Sequence, residues 1–202
     1  EKVILKNYIK FFQSALSNKL CDEIIEHAHT KEELVAGVGR HNDPKLDDQD
    51  LHRTRKSNVV WLDDPWIFKE IQPYIDLANK EADWNFDLEA CENFQFTKYD
   101  GSKKQHYDWH EDQFDEVNEK GFIRKLSMTV SLVDGSTYEG GDLEFDFKDG
   151  VGEKISNIKV CKEIRPRGSI VVFPSFLLHR VKPVTAGTRF SLVVWSSGRP
   201  YR

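Results

Sequence analysis

Cysteine is scarce in this sequence. Cys21, Cys91 and Cys161 are the only three among 202 residues, far apart and in no CxxC pair. An odd, scattered set of thiols suits neither a disulfide framework nor a zinc ribbon, and it points to a reducing compartment, the cytoplasm. Long apolar runs are missing as well. No stretch approaches the roughly 18 apolar residues of a membrane-crossing helix. The opening residues, EKVILKNYIKFF, have no small-residue cleavage site after an apolar stretch, so no signal peptide is expected. Nor is positive charge in excess. Lysine and arginine total 29 against 34 acidic residues, a net charge of −5, which leaves no basic footprint for a nucleic-acid backbone. There is no internal repeat and no low-complexity tract. What is present is apolar and aromatic: 39% hydrophobic residues, with five Trp and thirteen Phe. That rules out a wholly disordered chain and suffices for one domain with a sizeable core.

The pattern changes along the chain. Val3 to Phe12 reads as a strand. Ser17 has the character of a helix N-cap, and Leu16, Leu20, Cys21, Ile24, Ile25 and Ala28 then fall on one helical stripe. Residues 37–58 are almost wholly polar and read as a long loop, either solvated or a lid over a substrate. Asp64 followed by Pro65 marks the start of a second helix running toward Trp84, with Pro73 expected to kink or split it near Gln72. From Leu88 the period becomes two. Candidate strands are Cys91–Tyr99, Gln105–Asp112, Arg124–Val133, Asp142–Phe147, Asn157–Cys161, Ser169–Phe173, Leu177–Lys182 and Thr188–Trp195. Turn signals separate them at Asp100-Gly101, Asp134-Gly135, Gly140-Gly141, Asp149-Gly150 and Ala186-Gly187. The expectation is one α+β domain over residues 1–202. In it, 1–87 is mainly helical support and polar loop, and 88–202 is a two-sheet barrel or jelly roll.

The chemistry concentrates in QHYDWHED, residues 105–112. His110 and Asp112, two apart on a strand, would share a face and offer a metal two ligands. An HxD pair alone is weak, its plain alternative being a hydrogen-bonded surface imidazole. His179, in GSIVVFPSFLLHRVKPV, is the candidate third ligand. Two histidines and one carboxylate on one face leave open positions, an arrangement that suits Fe(II) oxygenases. Arg189 follows ten positions later and opens TRFSLVVW, where Arg189, Ser191, Val193 and Trp195 share one face. A guanidinium there either grips a carboxylate ligand or reaches solvent or a neighbouring Asp from a strand start. Strand 124–133 divides into an apolar face and a face of Lys125, Ser127, Thr129 and Ser131, which is either the wet side of an edge strand or a cavity wall. His106 and Asp108 read as polar positions near the mouth, Asp142 and Glu144 as strand residues beside a glycine turn. His27 and His29 read as solvated, and His41, His52, Arg53 and Arg55 as loop residues.

Together, Tyr99, Gly101, HYDWHED, YEGGDLEF and GSIVVFPSFLLHRVKPVTAGTRFSLVVW resemble the Fe(II)/2-oxoglutarate-dependent dioxygenases, over roughly residues 94–198. The nearest likeness is to the prolyl 4-hydroxylase-related branch with its PKHD-type hydroxylases. The resemblance implies a double-stranded β-helix, cupin-like, with N-terminal supporting helices. It implies His110, Asp112 and His179 as iron ligands and Arg189 on the distal carboxylate of 2-oxoglutarate. Tyr99 would help hold that carboxylate, Ser127 and Ser131 would occupy cosubstrate-pocket positions, and Trp195 would be a pocket-wall aromatic. O2 is the co-reactant and ascorbate a reductant. Animal-type collagen prolyl hydroxylases commonly carry lysine where Arg189 stands, which argues against collagen-like substrates. Related halogenases have a small residue in place of Asp112, so hydroxylation is implied. The substrate implied is a peptide or protein, with proline the residue hydroxylated, and no nucleic-acid or membrane partner. A free amino acid or small metabolite is the alternative, and a non-catalytic jelly-roll binding module is the reading from another class. A nucleic-acid demethylase of the AlkB type would need a second arginine where Trp195 stands.

Overall fold

The computed structural model of the chain describes residues 7–37, 53–147 and 156–201. Ser17 caps the first helix, α1 (Asn18–His29), by accepting from the Leu20 amide at 3.1 Å. Cys21, Ile24 and Ala28 are its buried stripe. The second helix, α2 (Pro65–Glu81), buries Ile67, Ile71, Ile75 and Ala78. Of the kink or split expected at Pro73, the split is absent: the helix runs through it. Pro73 and Lys69 both face solvent, so the carbonyl that the missing N–H strands is open to water. Asp64 stands at the N-cap position but makes no capping bond. Its carboxylate instead meets His27 Nε2 at 2.8 Å, so His27 is a partly buried pin between the helices rather than the solvated residue expected.

The strands before the barrel core are β1 (Lys10–Phe12), β2 (Leu34–Val35), β3 (Arg55–Lys56), β4 (Asn58–Leu62) and β5 (Ala90–Cys91). Then come β6 (Phe94–Asp100), β7 (His106–His110), β8 (Ile123–Ser131), β9 (Tyr138–Gly140) and β10 (Leu143–Asp146). The last are β11 (Ile158–Val160), β12 (Ile170–Pro174), β13 (Leu178–Val181) and β14 (Val184–Gly198). They form two facing sheets. The major one runs β1-β12-β8-β14-β6-β4-β2, with β5 and β9 also pairing on β14, and the minor one runs β11-β10-β13-β7-β3. With two helices backing the major sheet, this is the expected α+β double-stranded β-helix.

Several boundaries differ from the sequence reading. Of the strand expected over 3–12, Lys10–Phe12 is strand and residues 1–6 lie outside the described residues. Of the polar loop, 38–52 also lies outside them, whereas Arg55–Lys56 and Asn58 belong to strands. Ala186-Gly187, read as a turn, lies within β14, where the register against β9 shifts and Gly187 takes φ 69°. The chain bulges there without reversing.

Alternation along the major sheet divides two cores. One face packs Phe96, Val130, Leu192 and Val194 against α1 and α2. The other faces the minor sheet and holds Tyr99, Phe145, Val171 and Phe173. Ile71 is fully buried at the helix–sheet seam. Ile71→Ala is expected to cost about 2–5 kcal/mol in a urea titration, from lost transfer energy plus a residual cavity. A cost under about 0.5 kcal/mol would contradict this packing. Among the described residues, no helix is long and apolar enough to cross a membrane.

Candidate metal and cosubstrate site

The minor sheet places the two histidines. β13 pairs antiparallel with β7, and His179 stands directly opposite His110. Paired residues share a face, so both rings enter the barrel. Asp112 arrives differently from expectation. β7 ends at His110, and Asp112 lies beyond it, where its amide donates to the Ser175 carbonyl at 2.9 Å. Two turns tied together, rather than a strand pleat, bring the carboxylate in.

The candidate ligand atoms of His110, Asp112 and His179 all lie within 4.8 Å of one another. His110 Nδ1 is 2.7 Å from the Asp108 carbonyl, and His179 Nδ1 is 2.8 Å from the Leu177 carbonyl. A carbonyl only accepts, so each ring carries a proton on Nδ1, and its Nε2, the atom free to ligate in the neutral ring, faces Asp112. Each Nε2 is 3.6 Å from a different oxygen of Asp112. Three potential ligand atoms thus converge on one point between the sheets. Two imidazoles and one carboxylate on one face are the donor set of non-haem Fe(II) sites.

The local electrostatics favour the deprotonated forms of His110 and Asp112. Burial, and after it the facing His179, push the His110 imidazole down to about 3. Burial works to raise the Asp112 carboxyl, but His179, His110, a hydrogen bond from Ser127 and Arg124 together bring it below its ordinary value. As pH falls below the ordinary histidine value of 6.5, the unfolded chain takes up a proton that folded His110 refuses until about 3. Stability of the metal-free protein therefore declines across that window. Its urea midpoint should drop between about pH 7 and about pH 5, and drop less in His110→Gln. Equal drops in the two proteins would contradict this.

Arg189 is 2% exposed. β14 sets it opposite Tyr99 of β6, with its guanidinium carbon 5.4 Å from the Tyr99 ring centre. Among the described residues its one side-chain bond is to Ser191 Oγ at 3.3 Å. Among the described residues no carboxylate lies within ion-pair reach of it, so its charge is buried and uncompensated, a state costly enough to need a reason. Gly141 gives its stem room: φ there is +65°, and an added Cβ would lie 3.2 Å from Arg189 Cδ. Burial pushes the Tyr99 phenol up, so it stays a neutral hydroxyl.

His110, Asp112, His179, Arg189, Tyr99 and Trp195 all line one cavity between the sheets. Two predicted residues are placed differently. Ser127 bonds to Ser175 Oγ at 2.9 Å and to Asp112, so it supports the carboxylate rather than facing the cavity. Ser131 is outside the cavity lining, its hydroxyl turned back onto the Val133 carbonyl at 2.8 Å. Thr129, between them, does line it. β8 lies between β12 and β14, so the edge-strand reading of its hydroxyl face is overturned. Trp195 is overlaid by Arg124, whose guanidinium carbon is 3.9 Å from the ring centre. Arg124 is in turn gripped by both oxygens of Glu92, at 2.7 and 2.6 Å. Asp142 and Glu144 pair with Arg165 and Arg180, away from the cavity lining. Asp108 is exposed and lies near Arg180, and His106 bonds the Lys104 and Arg53 carbonyls. Sequence reasoning missed Arg55, Gln95 and Tyr107 in the cavity wall. The available signal was alternation at Arg55 and Ser57 at the end of the polar stretch, both buried.

Comparison with known proteins agrees with this arrangement. The family model described as the 2OG-Fe(II) oxygenase superfamily matches residues 94–197. A PKHD-type hydroxylase of Synechococcus sp. (strain CC9902) is 40% identical over 90 residues, which are 44% of this chain and 35% of the relative. A PKHD-type hydroxylase of Crocosphaera subtropica is 33% identical over 103 residues, 51% of this chain and 41% of the relative. The match thus spans about two-fifths of the length of such relatives. Among solved structures, a Pseudomonas putida prolyl-4-hydroxylase superposes with a TM-score of 0.66 at 20% identity, covering 96% of this chain and 95% of that one. A Trichoplax adhaerens prolyl hydroxylase, solved with a hypoxia inducible factor peptide fragment, gives a TM-score of 0.64 at 15% identity, covering 95% and 84%. These two likenesses are of fold. The family match runs from β6 to β14 and takes in His110, Asp112, His179 and Arg189, and by it the chain belongs to the 2OG-Fe(II) oxygenase superfamily, whose members use Fe(II), 2-oxoglutarate and O2.

Proposed function

We propose that this chain hydroxylates an aliphatic C–H bond of a peptidyl residue, proline foremost, with His110, Asp112 and His179 holding Fe(II) and Arg189 binding the distal carboxylate of 2-oxoglutarate. One observation carries the reading: a convergent His–Asp–His cluster and a buried guanidinium with no carboxylate partner among the described residues share one cavity. When bound, the iron and 2-oxoglutarate supply the oxidising power with O2, releasing succinate and CO2. The chain's residues bind, orient and exclude water. The Arg189 fork, with the neutral Tyr99 hydroxyl beside it, gives the cosubstrate one orientation. The Nδ1 bonds to Asp108 and Leu177 hold both imidazoles in the ligating tautomer. Phe173 packs on the His179 ring at 4.7 Å and keeps that side dry. Trp195, pinned by Arg124 and Glu92, offers a flat apolar wall to the residue being oxidised.

The peptide reading is supported by the fold shared with prolyl hydroxylases, one of them solved with a peptide. The test is incubation with Fe(II), 2-oxoglutarate and ascorbate against proline-containing peptides and free amino acids, following succinate and mass together. The expected result is a peptide gaining one oxygen atom in step with succinate. Succinate coupled only to a free amino acid would replace the peptide reading with the small-metabolite one. No succinate with any substrate would favour a binding module.

A further inference from the structure

Arg55 lies at the end of the polar stretch, yet it is 7% exposed and reaches from the minor sheet to the major one. Its guanidinium donates to Gln95 Oε1 at 2.6 Å, to Ser57 Oγ at 3.0 Å and to the Gly37 carbonyl at 3.1 Å. Thr97 donates to the same Gln95 oxygen at 3.2 Å, which fixes that acceptor. Among the described residues no partner is a carboxylate, so these bonds orient the guanidinium plane. The plane is aimed at Tyr107. β3 pairs with β7 so that Arg55 stands opposite Tyr107, and its Cζ is 4.4 Å from the ring centre. The same Tyr107 ring stacks on His110, centroid to centroid 3.4 Å and within 8° of parallel.

His110 needs such a support. Its bond to the Asp108 carbonyl fixes one in-plane direction and leaves the ring free to tilt about that bond. A flat surface against the ring removes the tilt. We propose that Arg55, oriented by Gln95, is a positioning residue that fixes Tyr107 against His110 and so sets the aim of the His110 Nε2 at the metal. The proposal rests on the reading of His110 as a ligand. It assigns the cost of losing Arg55 to metal binding rather than to the tie between the sheets.

The test is Mn(II) affinity without cosubstrate, with free Mn(II) counted by its electron paramagnetic resonance signal. Wild type, Arg55→Gln, Tyr107→Phe, Tyr107→Leu and the double variant Arg55→Gln/Tyr107→Leu are compared, each checked for cooperative unfolding. Loss of a group that orients a ligand typically weakens metal binding about 10–100-fold, and that is expected for Arg55→Gln and Tyr107→Leu. Tyr107→Phe keeps the stacked ring and should bind as wild type does. The double variant should be no weaker than Tyr107→Leu, because both changes act through one ring. The Co(II) visible spectrum should shift in Arg55→Gln, a change that a purely structural tie would not produce. An unchanged Mn(II) affinity in folded Arg55→Gln overturns the proposal, and so does a double variant whose losses multiply. Should Arg55→Gln not fold, Arg55→Lys, which keeps a cation but loses the flat fork, decides in its place: weakened binding upholds the proposal and unchanged binding overturns it. A wild type that binds no Mn(II) overturns both this proposal and the ligand assignment, whereas binding that Arg55 does not affect overturns this one alone.

Discussion

Replacing His179 with alanine is expected to weaken Fe(II) binding by more than about 100-fold and to take succinate formation below detection, in a protein that still folds. Removing a group that merely supports a ligand typically costs about 10–100-fold, so removing the ligand should exceed that range. Two donors cannot complete the face that two imidazoles and a carboxylate form. The fold should survive because, among the described residues, the ring's one hydrogen bond is to the Leu177 carbonyl two residues away. Metal retained after gel filtration, read beside the unfolding midpoint, checks both halves. Metal retained at the wild-type ratio would remove His179 from the ligand set.

Arg189→Leu is expected to separate function from stability. A buried charge pair that loses one partner costs about 2–5 kcal/mol, so the 2-oxoglutarate concentration needed for half-saturation should rise from about 30-fold to a few thousand-fold. Metal binding without cosubstrate should stay as in wild type, since Arg189 is not among the candidate ligands. The unfolding midpoint of the unliganded variant should hold or rise. In the absence of ligand the wild-type guanidinium is 2% exposed and, among the described residues, has only a hydroxyl partner at 3.3 Å, so an apolar side chain in its place removes an uncompensated charge. A lower midpoint with unchanged cosubstrate demand would mean that Arg189 is structural.

The parts of the site that were legible in the sequence are those whose signal is local. TRFSLVVW alternates cleanly, and its arginine among apolar residues is conspicuous, so β14 and Arg189 could be read together. His110 and Asp112 were grouped correctly, but the pleat argument for them was wrong, because β7 ends between them and Ser175 does the placing. That contact joins residues far apart in sequence and leaves no periodic trace. Arg55 was hidden for the same reason. Its strand is two residues long, its neighbours are polar on both sides, and its partners Gln95 and Tyr107 lie on β6 and β7. Ser131 shows the converse. Its position on the hydroxyl face was legible, whereas the direction of its hydroxyl depends on the Val133 carbonyl beside it. Pro73 and Gly187 show how tertiary surroundings override a local rule. A solvent-facing proline leaves a helix whole, and a glycine beside a bulge lets a strand continue.

The proposed activity requires that His110, Asp112 and His179 hold Fe(II) while Arg189 orients 2-oxoglutarate upon it. The direct measurement is an anaerobic absorbance titration of Fe(II) and 2-oxoglutarate into the wild type, His179→Ala and Arg189→Leu. Chelation of Fe(II) by the keto oxygen and adjoining carboxylate gives a weak visible charge-transfer band. The account predicts that band in the wild type, none in His179→Ala, and in Arg189→Leu the same band at much higher cosubstrate. No band in the wild type at saturating cosubstrate, or the full wild-type band in His179→Ala, would contradict it.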